Sequence, residues 1–169
     1  MIAMASSGLH SNGFSLVRHI LASRSIGYHD ELPEFGGVVG ETLLTPTALY
    51  TAPLLELLGE HPGAVHALSH VTGGGLAANL ARVLPVGSWV ELDRGSWSPP
   101  SVFRVLADLA GDSLESTEGT WNLGIGMLAV VATRGRLRGL SGASVRSISA
   151  ARALRHRSRG THRRGGGRT

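Results

Sequence analysis

Apolar positions along this chain recur at two spacings, a helical one near every third or fourth residue and a shorter, continuous or alternating one. Phe14, Leu16, Val17, Ile20 and Leu21 fall on one helical stripe, and Leu54, Leu55, Leu57 and Leu58 give the stretch Thr47–Leu58 a broad apolar face. Pro46 suits the start of that second helix, while Pro53 belongs in its first turn or at a kink. A third helix begins near Leu76 and carries Leu80, Val83 and Leu84. A fourth is opened by Pro99 and Pro100, with Val102, Phe103, Leu106 and Leu109 facing inward. Between them lie candidate strands: Met1–Ser6, Ala64–Leu68 running on to His70, the alternating Ser88–Leu92, and MLAVVA, a continuous apolar run that reads as a strand buried on both faces. Ser6–Gly13 is a turn, and Asp30–Gly40 a loop rich in Gly, Pro and acid. Strands and helices in this order predict an α/β (α+β) fold, a mixed sheet covered by helices.

Length and charge refine this picture. The 169 residues fit one domain of ordinary size, and 42% hydrophobic content with few aromatics fits an aliphatic core. No run approaches the ~18 consecutive apolar residues of a membrane span. The start MIAMASSGLHSNG is expected not to be a secretory leader, since it is short and lacks a basic flank. Cysteine is absent, which excludes a disulfide framework, a thiolate metal site and a cysteine nucleophile, and fits the cytosol. The net charge of +4 hides a segregation: residues 1–132 hold all twelve acids and five arginines, whereas residues 133–169 hold eleven arginines and no acid. The chain is therefore divided at 132, and the 133–169 segment, which has no Phe, Trp or Tyr, is expected to be a disordered basic tail.

Three bends carry candidate chemistry. In HALSHVTGGGLAANLARVL a strand ends at His70, and Thr72, Gly73, Gly74 and Gly75 form a turn before a helix. Glycines let backbone N–H groups surround an anion, and a helix start adds partial positive charge, so a phosphate is the natural occupant. The alternative is a plain strand-to-helix turn. Ser11, Asn12 and Gly13 form the second bend, where Ser11 and Asn12 either cap the following helix or hold a polar ligand. The third is WNLGIGM, where Asn122 precedes a buried strand and Gly124 and Gly126 permit close packing. His66 and His70 are four apart, but along a strand that spacing does not resemble a helical metal pair, so no metal site is expected, and no nucleophile-elbow pattern supports a hydrolase triad.

Taken in order, GLHSNGFSLVR, GETLLTPTALY, HVTGGGLAANLARVLP, DRGSW with PPSVF, and WNLGIGM resemble the C-terminal half of aminoimidazole ribonucleotide synthetase, the cyclo-ligase of purine synthesis, over about Ile2–Ala132. The resemblance implies that family's C-terminal-domain fold. It also implies an ATP- and magnesium-dependent closure of formylglycinamidine ribonucleotide to aminoimidazole ribonucleotide, with release of ADP and phosphate in the cytoplasm. In that family the active site lies between an N-terminal ATP-binding half and a half like this one. The resemblance places Ser11, Asn12 and Gly13 in the cleft, turns His70 and Thr72–Gly75 toward substrate or phosphate, with His70 the catalytic candidate, and puts Asn122 nearby. Glu41 and Thr42 are weaker candidates. The nucleotide and magnesium ligands and much of the dimer surface belong to the N-terminal half, so the chain is expected to be inactive alone and to need that half or a homodimer partner.

Two competing readings come from other classes. One is a ribonucleotide-binding domain without turnover. The other is nucleic-acid binding through the basic tail, which is ranked below a solvated tail because no aromatics are interleaved for base stacking. The abrupt change near Thr133 is expected to reflect a shifted reading frame.

Overall fold

A computed structural model describes residues 1–132, and the predicted basic tail, 133–169, lies outside the described residues. A three-stranded sheet organises them. Strand β1 (Ile2–Ala5) is followed by helix α1 (Phe14–Ser23), a short hairpin of β2 (Glu31–Leu32) and β3 (Gly37–Val38), then helices α2 (Val39–Leu43) and α3 (Thr51–Glu60). Strand β4 (Val65–His70) leads into α4 (Gly75–Ala81), and α5 (Ser101–Ala110) precedes the last strand, β5 (Ile125–Val131). Single 3-10 turns occupy Pro33–Phe35, Arg94–Ser96 and Glu115–Gly119.

β5 lies in the middle of the sheet, with order β1-β5-β4 and both pairings antiparallel. That position explains its continuous apolar run, because side chains on both faces meet core. On one face Ala3, Val71, Leu76, Leu80, Leu128 and Val130 pack together under α4. On the other, Ile2, Met4, Tyr50, Leu54, Leu57 and Ala129 pack under α3. A third cluster joins α1, α2 and α5 through Val17, Ile20, Leu21, Val39, Phe103 and Leu106 around Trp121.

Pro53 is the third residue of α3, within the first turn, where its missing N–H removes no helical bond. Pro100 caps α5 from outside and Gly111 closes it in the left-handed conformation. Two expectations need correction. Ser88–Leu92 is not a strand: Val90 and Leu92 do pack against the cluster under α4, but this segment has no strand beside it, and alternation alone reports a half-buried surface rather than pairing. The loop Asp30–Gly40 contains the β2–β3 hairpin and the start of α2, elements too short to produce a periodic signal.

Candidate functional site

The glycine turn before α4 is held from inside its own helix. Gly74 and Gly75 adopt left-handed conformations, φ 99° and 67°. Asn79, one turn further along and only 4% exposed, donates through Nδ2 to the carbonyls of Thr72 (3.2 Å) and Gly75 (2.7 Å). Its Oδ1 accepts from the Thr72 hydroxyl and from Arg82, each at 3.1 Å. The turn is also pressed against the 3-10 turn at Glu115–Gly119: a Cβ on Gly75 would sit 1.6 Å from the Glu118 carbonyl oxygen. No side chain fits there.

The loop before α1 is held from outside. Asn122 is fully buried; its Nδ2 donates to the Gly8 carbonyl at 2.9 Å, and its Oδ1 accepts from the Ser6 hydroxyl (2.8 Å) and the Gly124 amide (2.9 Å). Ser7 donates to the Pro46 carbonyl at 2.6 Å, and the buried phenol of Tyr50 donates to the Ala5 carbonyl at 2.7 Å. Burial pushes the Tyr50 pKa up to about 12, so the phenol stays a donor at any ordinary pH. Between them the His10 ring accepts at Nε2 from the amides of Ser7 (3.1 Å) and Ala48 (3.4 Å). The motif GETLLTPTALY is thus a strut beneath the loop: Thr42 is tied to the Phe35 carbonyl, while Pro46, Ala48 and Tyr50 contact residues 5–10.

The loop before α1 and the turn before α4 both meet the third bend and the residues that lead into it, Glu118–Gly124. Gly75 abuts Glu118, Asn122 grips Ser6 and Gly8, and a Cβ on Gly13 would lie 2.4 Å from the indole nitrogen of Trp121. His70 ends β4 at the rim, exposed, with its ring edge-on to Tyr50 at a centroid distance of 6.5 Å.

The predicted residues are therefore brought together unequally. Ser11 is exposed, Asn12 and Thr72 are half-buried, and Gly73 and Gly74 remain at the surface or partly so. Neither Ser11 nor Asn12 caps α1: the cap is Gly13 itself, in the left-handed conformation (φ 73°) and without a side-chain bond, while the Leu16 and Val17 amides turn back to the Gly13 carbonyl at 3.1 and 3.2 Å. Asn122 corrects an expectation. With no exposed surface and both ends of its amide committed to the protein, it positions two loops and faces no ligand. Glu41 is exposed on α2 and Thr42 is a structural tie. His10, Tyr50 and Asn79 were missed. Asn79 could have been found from its spacing, four residues past Gly75 on the inward side; His10 and Tyr50 act across a distance that no spacing reports.

A cavity of about 210 Å³ opens beside Gly74, lined also by Leu76, Leu92, Arg94, Trp97 and Glu118. Arg94 spans it with a two-pronged ion pair to Glu118. Neither Ser11–Gly13 nor His70 reaches it. Among the described residues no group of three or more His, Asp or Glu converges as a metal site, and no helix is long and apolar enough to cross a membrane.

Comparison with known proteins adds an independent line. Residues 1–145 match the family described as AIR synthase related protein, C-terminal domain. A putative phosphoribosylformylglycinamidine cyclo-ligase of Streptomyces fradiae is 47% identical over 152 residues, covering 89% of this chain and 82% of the relative. A phosphoribosylformylglycinamidine cyclo-ligase of Sorangium cellulosum is 49% identical over 134 residues, covering 78% of this chain but only 38% of the relative. The S. fradiae alignment is too long to end at residue 132.

Proposed function

This chain belongs to the AIR synthase related protein C-terminal domain family, and from that premise we propose that it supplies one wall of a cyclo-ligase cleft that closes formylglycinamidine ribonucleotide to aminoimidazole ribonucleotide in purine synthesis. The observation that carries the proposal beyond family membership is that the loop before α1 and the turn before α4 both meet the third bend at Glu118–Gly124. Held in place by these contacts, the uncapped start of α1 with Ser11 and Asn12, and the Thr72–Gly75 turn, are suited to receive phosphate oxygens without reorganisation. Exposed His70 stands at the end of the strand that leads into this turn and is the candidate to contact substrate.

ATP supplies the activation of the formyl oxygen in such a reaction, and magnesium accompanies it. The described residues contain no cluster fit to hold magnesium, so no step is assigned to the metal here. This chain spans 38% of the S. cellulosum relative, and the nucleotide and metal ligands are assigned to an N-terminal half that this reading requires as partner. This chain's own share is to bind, to orient the attacking nitrogen and to exclude water. The ligase names of both relatives favour this reading over ribonucleotide binding without turnover or nucleic-acid binding. A cytoplasmic location follows from the proposed pathway.

The test is rescue of a purine auxotroph lacking its cyclo-ligase. Growth is expected when this chain is co-expressed with the N-terminal half of a cyclo-ligase, and not with either alone. Soluble expression of both pieces without growth would overturn the assignment.

A further inference from the structure

His10 sits inside the motif GLHSNG, is only 4% exposed, and holds a left-handed backbone (φ 54°), which is uncommon for a non-glycine residue. A backbone amide can only donate. Nε2, facing the amides of Ser7 and Ala48, must therefore carry a lone pair, which assigns the proton of the neutral ring to Nδ1. Nδ1 is buried and has no acceptor among the described residues. The ring's hydrogen bonds among the described residues thus serve one task, joining residues 6–13 to residues 45–50.

We propose that His10 is a positioning residue, an acceptor peg in its Nδ1–H tautomer that pins the Ser6–Gly13 loop to the Thr45–Tyr50 strut, and that protonating the ring withdraws the peg and releases Ser11–Gly13. A protonated Nε2 would present a donor to two donors, at least one of which must then move. Two titratable side chains face the ring among the described residues. Tyr50, at the start of α3, has its hydroxyl committed to Ala5, and His70, on β4, opposes a second positive charge nearby. Burial first, and His70 second, lower the pKa of His10 below the usual histidine value. The unfolded chain therefore takes up this proton first as pH falls below ~6.5, and folded stability declines with acid from there toward the folded pKa. Above that range the peg is fully in place.

The experiment is NMR on the full chain, following the imidazole nitrogens and the backbone amides across pH. At pH 7.5 His10 is expected as the Nδ1–H tautomer, and the amides of Ser7, Ala48, Asn12 and Gly13 should shift with one midpoint as the ring protonates. His10→Gln keeps an acceptor near the Nε2 position but cannot titrate, so it should preserve the Ser7 and Ala48 amides and abolish that transition. His10→Asn tolerates the left-handed backbone but falls short of both amides, and should lose their protection at every pH. An Nε2–H tautomer at neutral pH, or Asn12 and Gly13 amides unmoved through the ring's titration, overturns the proposal; the wild-type spectra alone decide this if a variant fails to fold. The ligand assigned to Ser11–Gly13 rests on the cyclo-ligase reading. Failure of the co-expressed soluble halves to restore growth would remove that reading and leave the His10 transition intact.

Discussion

The loop before α1 and the turn before α4 are both small-residue bends that feed a helix, yet they are fixed by opposite means. The turn is held by Asn79, within seven residues of everything it bonds, and by direct backbone contact with Glu118. The loop is held by Asn122, at sequence separations of 116 and 114, and by His10 and Tyr50 reaching across to other segments. The ties from Asn79 can form as soon as α4 does, whereas the contact with Glu118 waits for the tertiary fold. A bend fixed by β5 and the strut must wait until the sheet is assembled, because loop closure precedes any gain from such contacts.

Substitutions can break this comparison, and the largest effect belongs to the turn. Gly75→Ala forces a Cβ into the Glu118 carbonyl and strains a left-handed backbone, so a loss of more than about 3 kcal/mol or failure to recover soluble protein is expected. Gly73→Ala, two residues away, meets nothing within 4 Å and should change stability by less than about 0.5 kcal/mol. Urea denaturation of the pair checks this. Equal stabilities would mean that the turn is not pressed against the 3-10 turn at all.

Next comes the remote clip. Asn122→Ala leaves the Gly8 carbonyl, the Ser6 hydroxyl and the Gly124 amide without their partner, and about 2–3 kcal/mol should be lost. Hydrogen exchange should quicken at Gly124 and Ser6 while the amides of α4 stay protected. Asn79→Ala is the local counterpart. Thr72 lies nearer the surface, where water can replace the amide, while the Gly75 carbonyl is buried, so a loss of about 1–2 kcal/mol is expected, with faster exchange confined to Gly75 and α4. If both variants loosen both bends equally, local and remote fixation are not separate.

The same contrast explains what the sequence could reveal. The helices were legible because Val17, Ile20 and Leu21, or Val102, Phe103 and Leu106, repeat at helical spacing. The burial of β5 on both faces was legible in its uninterrupted apolar run, but its place between β1 and β4 was not. Ser88–Leu92 misled because a segment lying against α4 needs the same half-buried alternation as a strand. Within the site, each bend was visible as a motif, and their grouping followed from likeness to a family. That Asn122 is a clip rather than a ligand contact was hidden, since an asparagine before glycine looks the same whether its amide faces Gly8 or a phosphate. His10 was hidden for the same reason: its partners are backbone amides, which carry no sequence signal.

The smallest effect is expected where charge alone bridges the region. Arg94 and Glu118 form a bidentate pair across the cavity beside Gly74, but the arginine side chain is 55% exposed and the glutamate 28%. Solvent screens such a pair, and holding both side chains costs conformational freedom, so Arg94→Met should change stability by no more than about 1 kcal/mol, and by less in 1 M salt. The backbone of Glu118, not its carboxylate, makes the contact that excludes a side chain at Gly75. Glu118→Gln should accordingly match Arg94→Met in urea denaturation and leave the turn's amide exchange unchanged. If removing either charge instead loosens Thr72–Gly75, the turn depends on the ion pair as well as on Asn79, and its fixation is no longer local.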